Sequence, residues 1–254
     1  MASTLPIRVL RRLGRYGFGR LSYLKPARIS WPGGAVSFTF DDFPHSALAA
    51  GGEVLERHGL RGTYYTALGL AGTTGELGPM LERDDVLAAH HRGHEIACHT
   101  FRHLDCSWAG AAAILDDIAK NSAALSDLLG DFVAVNFAYP FGELSLAAKR
   151  LLASRFWSCR GIGQGFNSGL ADLAELRATR IHARSYDAAR FRDLIEHNRA
   201  AGGWLIFYTH DVAAAPSRYG CTPGQLDEII GYTAECSDLL PVRDVLRRLG
   251  AAEA

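Results

Sequence analysis

Val36-Ser37-Phe38-Thr39-Phe40-Asp41-Asp42 is an apolar run of strand length that ends abruptly in two carboxylates, after Pro32-Gly33-Gly34 and before Pro44. Aromatic and β-branched residues bounded by turn formers on both sides read as a buried strand. Working outward, comparable runs recur at 62–67, 94–98, 132–139, 156–160, 177–183 and 204–209, giving seven strands with the one at 35–40. Helical periodicity falls between or after them at 48–58, 80–91, 110–129, 146–152 and 188–200, with a last amphipathic segment at 242–249. Strands alternating with helices predict an α/β domain on a parallel sheet, open or closed. The glycine-rich stretch from Gly161 to Gly169 is expected to be the long loop.

The totals bound the function. At 254 residues the chain is long enough for one large domain with a full core. Lys plus Arg and Asp plus Glu are both 27, so no overall basic excess argues for a nucleic-acid partner. Cys98, Cys106, Cys159, Cys221 and Cys236 are odd in number and form no CxxC, which predicts free thiols rather than disulfides or a thiolate zinc site. The first 40 residues contain no acid but carry Arg8, Arg11, Arg12, Arg15, Arg20, Lys25 and Arg28 among apolar side chains. These arginines interrupt every candidate signal peptide or membrane span. The reading is therefore a basic N-terminal segment, 1–34, ahead of a single α/β domain at 35–254, in a cytoplasmic protein. That segment is read either as a helix packed on the domain or as peripheral contact with an anionic inner membrane.

Polar residues gather where the strands end. Asp41 and Asp42 close the first, His99 and His103 follow the third, Tyr139-Pro140-Phe141-Gly142 follows the fourth and Thr209-His210-Asp211 closes the seventh. Parallel strands bring these ends to one face, where α/β barrels form their sites. Adjacent strand residues point to opposite sides, so the two aspartates share a site only if the backbone turns there. His99 and His103, four apart, would lie on one helical face with both imidazoles in reach of one metal. Two imidazoles and one carboxylate suit zinc, although cobalt, manganese, iron or nickel accept the same ligand types. The second carboxylate is then free to act as a base. His210 reads as a general acid, a third ligand or a hydrogen-bonded core histidine.

Thr39-Phe40-Asp41-Asp42, His99-Thr100-Phe101-Arg102-His103, Tyr139-Pro140-Phe141-Gly142 and Tyr208-Thr209-His210 together resemble the polysaccharide deacetylase family, also known as NodB-homology domains or family 4 carbohydrate esterases. The resemblance runs from about Val36 to Val212. It implies a single-domain, distorted (β/α)7 barrel and metal-dependent removal of an acyl group from an amide on a sugar. It makes Asp41 the base, Asp42, His99 and His103 the metal ligands, the Phe141 N–H an oxyanion donor and His210 the acid. The expected substrate is an N-acetylated amino sugar of a polysaccharide, or of its nucleotide- or lipid-linked precursor, in surface polysaccharide synthesis of the O-antigen type. A deformylase of a lipid-linked formamido sugar, or a metal-retaining saccharide binder with little turnover, are the rival readings. The chain departs from the family at Ala138, where an arginine usually partners the base, and Arg160 or Arg180 is expected to replace it. The family's aspartate that orients the acid histidine also has no clear counterpart, with Asp172 and Asp187 as the candidate stand-ins. The oligomeric state is left open.

Overall fold

The computed structural model describes residues 22–251. Ten strands and seven helices matter here. The strands are β1 Pro26–Ile29, β2 Ala35–Phe40, β3 Thr63–Thr66, β4 Glu95–Cys98, β5 Asn136–Ala138, β6 Ser158–Arg160, β7 Gly169–Asp172, β8 Thr179–Arg180, β9 Trp204–Thr209 and β10 Asp238–Leu239. The helices are α1 Glu53–Arg57, α2 Arg83–His91, α3 Ala111–Leu129, α4 Leu146–Ala153, α5 Ala188–Ala200, α6 Pro223–Ala234 and α7 Val242–Arg248.

The parallel order β8-β9-β2-β3-β4-β5-β6 makes the seven staves of a distorted (β/α)7 barrel. Backbone bonds from the Cys159 and Gly161 region to Leu173 and Leu176 carry β6 toward β8 and curl the sheet round. Along β2 every residue is buried, although Val36, Phe38 and Phe40 alternate with Ser37 and Thr39, because both faces of the strand are covered. Val36, Phe38 and Phe40 pack outward with Leu55, Leu226 and Ile229 of the helical layer. Ser37 and Thr39, on the alternate face, spend their hydroxyls on the carbonyls of Leu240 and Phe207. Burying that many apolar side chains, at about 25 cal/mol per Å², is the main stabilising term.

Several elements were not expected. α6 starts at a capping box in which Thr222 accepts from Gln225 N and Gln225 answers to Thr222 N, with Pro223 in the first turn. Its buried Leu226, Ile229, Ile230 and Thr233 follow helical spacing, a signal that Gly224 and Gly231 obscured. β1 pairs antiparallel with β7, and β10 extends β2 on the side it otherwise offers to β3. All three are edge pieces of two to four residues, too short to show a pattern. The expected helix at 48–58 is present as far as Arg57, with a π-helical segment over Ala47–Gly52 that runs directly into α1. Residues 161–168 hold only one isolated bridge, at Asn167, in line with the expected loop.

All five cysteines are free thiols. Among the described residues no helix is long and apolar enough to cross a membrane. Arg8 to Arg20, on which the membrane expectation rests, lies outside the described residues. Lys25 and Arg28 are held near the barrel, Lys25 by its amide on the Asp172 carboxylate and Arg28 within β1.

Candidate metal centre and catalytic pocket

The carboxyl ends of the strands surround a cavity of about 510 Å³, with Asp41, Asp42, His99, His103, Phe141 and His210 all in its lining. The sequence therefore named six residues that the fold brings together. Three loops do this at a conformational cost. Among the described residues five non-glycine positions have positive φ, namely Asp42, Phe43, Thr100, His103 and Phe141, and all lie in these loops. Each left-handed residue costs about 1–2 kcal/mol, so strain concentrated in these loops marks a geometry held for function.

At the end of β2 the Asp41 N–H still bonds to the Thr209 carbonyl, and at Asp42 the chain turns left-handed with φ 60°. That turn lets neighbouring carboxylates enter one cavity with different surroundings. Asp42 Oδ1 lies 3.4 Å from His99 Nε2 and 3.2 Å from His103 Nε2. The three donor atoms sit within 4.8 Å of one another. Asp42 Oδ1 is buried without a hydrogen-bond partner, a cost a native fold tolerates when an ion completes the group. A carboxylate oxygen and two imidazole nitrogens converging on that orphan fit a divalent metal.

The two histidines reach this point by a route the spacing did not reveal. Residues 99–103 are not helical, and left-handed Thr100 and His103 fold the segment into a compact turn. Asp117, buried in α3, accepts the Phe101 and Arg102 amides at 2.9 Å each and the Arg102 side chain at 2.8 Å. Thr100 Oγ1 accepts the Leu104 amide at 2.8 Å. His99 Nδ1 donates to the Ala138 carbonyl at 2.8 Å, which leaves Nε2 as the ligating nitrogen. The His103 ring rests against Phe141, centroids 4.2 Å apart.

Asp41 has different partners. Its Oδ1 pairs with the Arg160 guanidinium, which is buried at 1% exposure, bonds the Gly161 carbonyl at 2.9 Å and lies between the Tyr65 and Tyr208 rings. Burial would raise the Asp41 pKa, but Arg160, with His99 and His210, outweighs it and holds the carboxyl below the usual range. Asp42 goes the other way: burial pushes it up to about 6. Burial, with His103 nearby, takes His99 down to about 3, so this imidazole is neutral and able to ligate. One carboxylate is thus held ionised by a fixed cation while the other is left to an ion.

Of the two arginines expected to replace the cation missing at Ala138, Arg160 does so; Arg180 lines the cavity and is exposed. Neither expected aspartate orients His210. Asp172 pairs with Lys149 at 2.8 Å, and Asp187 caps α5 through the Arg190 amide. Instead His210 Nδ1 faces the Tyr219 carbonyl at 3.3 Å. The loop carrying Tyr219 is tied down by Asp211, which accepts the Ser217 amide at 2.7 Å and its hydroxyl at 2.6 Å. A backbone carbonyl leaves no side-chain signature, which is why the sequence did not disclose it. His182 also enters the cavity, where burial beside His210 and Arg180 lowers its pKa to about 4.

The family model for polysaccharide deacetylase matches residues 30–155. The chain belongs to the polysaccharide deacetylase family. Solved structures are similar in fold across nearly the whole chain. A polysaccharide deacetylase from Mycobacterium smegmatis aligns at TM-score 0.61 with 16% identity, covering 91% of this chain and 96% of that one. A chitin deacetylase from the fungal pathogen Colletotrichum lindemuthianum aligns at 0.60 with 14% identity over 86% and 89%. A family 4 acetyl xylan esterase from Clostridium thermocellum, in complex with a cobalt ion, aligns at 0.58 with 20% identity over 85% and 92%. No curated protein matches in sequence. This polysaccharide deacetylase is a hydrolase of a metal-dependent family, and its Asp42, His99 and His103 form a candidate metal site.

Proposed function

We propose that this deacetylase removes the N-acetyl group from an amino sugar of a surface polysaccharide or of its nucleotide- or lipid-linked precursor. One observation carries the reading: Asp41, fixed by Arg160, lies beside the Asp42, His99 and His103 cluster in a cavity that also contains His210. A pure binder has no use for an ionised carboxylate kept apart from the ligand set, so this arrangement favours turnover.

Asp42, His99 and His103 would hold the metal, most simply zinc, which supplies Lewis acidity toward water and the amide carbonyl. Asp41 accepts the proton of the attacking water. Its pKa, held low by Arg160 against burial, keeps it ionised and ready at neutral pH. The Phe141 N–H, in a turn with φ 61°, donates to the oxygen that becomes negative at the tetrahedral stage. His210, steadied by the Tyr219 carbonyl, protonates the departing amine. The products are an amino sugar and acetate.

The domain reading that accompanies this proposal is a basic segment at 1–34 before a catalytic domain at 35–254, working in the cytoplasm at the inner face of the membrane. The test is release of acetate from N-acetylated amino sugars by metal-loaded protein, with formate measured in parallel on formamido sugars. Asp41→Asn should abolish acetate release while retaining metal. Formate without acetate would replace this reading with a deformylase, and full turnover in Asp41→Asn would remove the base from the scheme.

A further inference from the structure

The wall of the cavity next to His210 is built differently from the rest. β8 runs parallel to β9 with Arg180 opposite Tyr208, and the Ile181 amide bonds the Tyr208 carbonyl at 2.8 Å. Alternation along this edge sends Ile181, 1% exposed, into the hydrophobic core and leaves Arg180 and His182 in the cavity lining. The His182 ring is 6.1 Å from the His210 ring, and its Nε2 is buried without a hydrogen-bond partner.

Arg180 makes no ion pair or hydrogen bond among the described residues, and the acids of the cavity are all committed elsewhere. Asp41 is held by Arg160, Asp42 belongs to the ligand cluster, and Glu76 pairs with Arg218 at 2.9 Å. An arginine without a partner beside an orphaned imidazole nitrogen lacks an oxyanion to bind both. The side on which they lie has chemical meaning. A group that protonates the leaving nitrogen faces the sugar, so residues beyond His210 meet the sugar's own substituents rather than its acyl group.

We propose that Arg180 and His182 form an oxyanion subsite, and that the acyl amino sugar cleaved here carries a phosphate or carboxylate rather than belonging to a neutral homopolymer. This rests on the deacylase reading above and narrows its substrate. Arg180 provides the charge and the planar fork, and His182 adds one directed donor. Neither takes part in the proton transfers, so both act through binding.

The test compares three probes that share the N-acetylglucosamine ring: the 1-phosphate, a disaccharide with a neighbouring glucuronate, and the neutral methyl glycoside. For metal-loaded protein, kcat/KM on one anionic probe should exceed that on the methyl glycoside by roughly 10- to 100-fold, mostly through KM, and the preference should shrink as salt rises. The preferred anionic arm identifies the source of the charge. Arg180→Gln should bring the ratio close to one, and His182→Ala should reduce it, with partial recovery in His182→Gln. Acetate release at equal efficiency from all three probes would overturn the subsite and leave the deacetylase standing. Binding of the corresponding amino-sugar products, followed by calorimetry, separates the two claims. Arg180-dependent binding of glucosamine 1-phosphate or of the deacetylated glucuronate disaccharide without acetate release from any probe would keep the subsite and sink the deacylase reading. Product binding unchanged in Arg180→Gln would overturn the subsite.

Discussion

At the scale of single residues the site depends on one cation serving one anion. Arg160 is enclosed between two tyrosine rings and pairs with Asp41. Arg160→Ala should leave a buried carboxylate uncompensated, at a cost of about 3–5 kcal/mol, and should raise the Asp41 pKa. The acid limb of the kcat/KM against pH profile then moves to higher pH, and activity at neutral pH falls; an unmoved limb would separate the pair from catalysis. The metal site has its own pH dependence. Burial raises Asp42 to about 6, whereas burial beside His103 lowers His99 to about 3. As pH falls from neutrality the Asp42 proton therefore competes with metal, joined by that of His103, whose pKa burial lowers from its ordinary value. Apparent metal affinity should fall as pH drops through about 6, by roughly tenfold or more per unit, as read by titration with a chromophoric chelator. Gly142 adds a steric condition: its φ is +64°, and a methyl group there would overlap the Ile162 side chain. Gly142→Ala should displace the Phe141 amide and lower kcat more than it raises KM.

At the scale of elements, the loops owe their shape to the helices behind them. Asp117 on α3 accepts both amides of the turn that separates the two histidines. Asp117→Ala strands those amides and should cost about 1–3 kcal/mol of stability. It should also weaken metal binding by about 10- to 100-fold through loss of ligand orientation, measured by denaturant unfolding and metal titration on the same variant. The spacing of His99 and His103 suggested a helix because four residues is one helical turn. The same separation is reached here by left-handed residues, and the deciding partner is 14 residues beyond His103 in sequence. α6 shows the opposite case: its capping box and its buried spacing from Leu226 to Thr233 were present in the sequence and were masked by two glycines.

At the scale of the whole molecule, β2, β4, β5 and β9 deliver their carboxyl ends to one cavity, so metal binding should stabilise the entire barrel. At a free metal concentration 1,000 times the dissociation constant the gain is about 4 kcal/mol. For a chain of this size that corresponds to a rise in Tm of roughly 8–16 °C, seen by calorimetry before and after chelation. Replacing Asp42 with Ala should abolish this metal-dependent rise. It should leave the barrel folded, because Asp42 lies at a strand end and contributes nothing to the ladder between β2 and β9.

The sequence by itself disclosed the alternation of strands with helices and the polar residues at the strand ends, since these are local patterns, and its resemblance to the polysaccharide deacetylases implied the barrel and the proposed metal and acid–base groups. Only the tertiary structure decided what holds each group in place. Arg160 reaches Asp41 across 119 positions, Asp117 shapes the histidine turn from a separate helix, and a carbonyl of Tyr219 orients His210. Such partners are chosen by proximity in space, and closure of the sheet into a barrel creates that proximity between segments with no mark of it in their own composition.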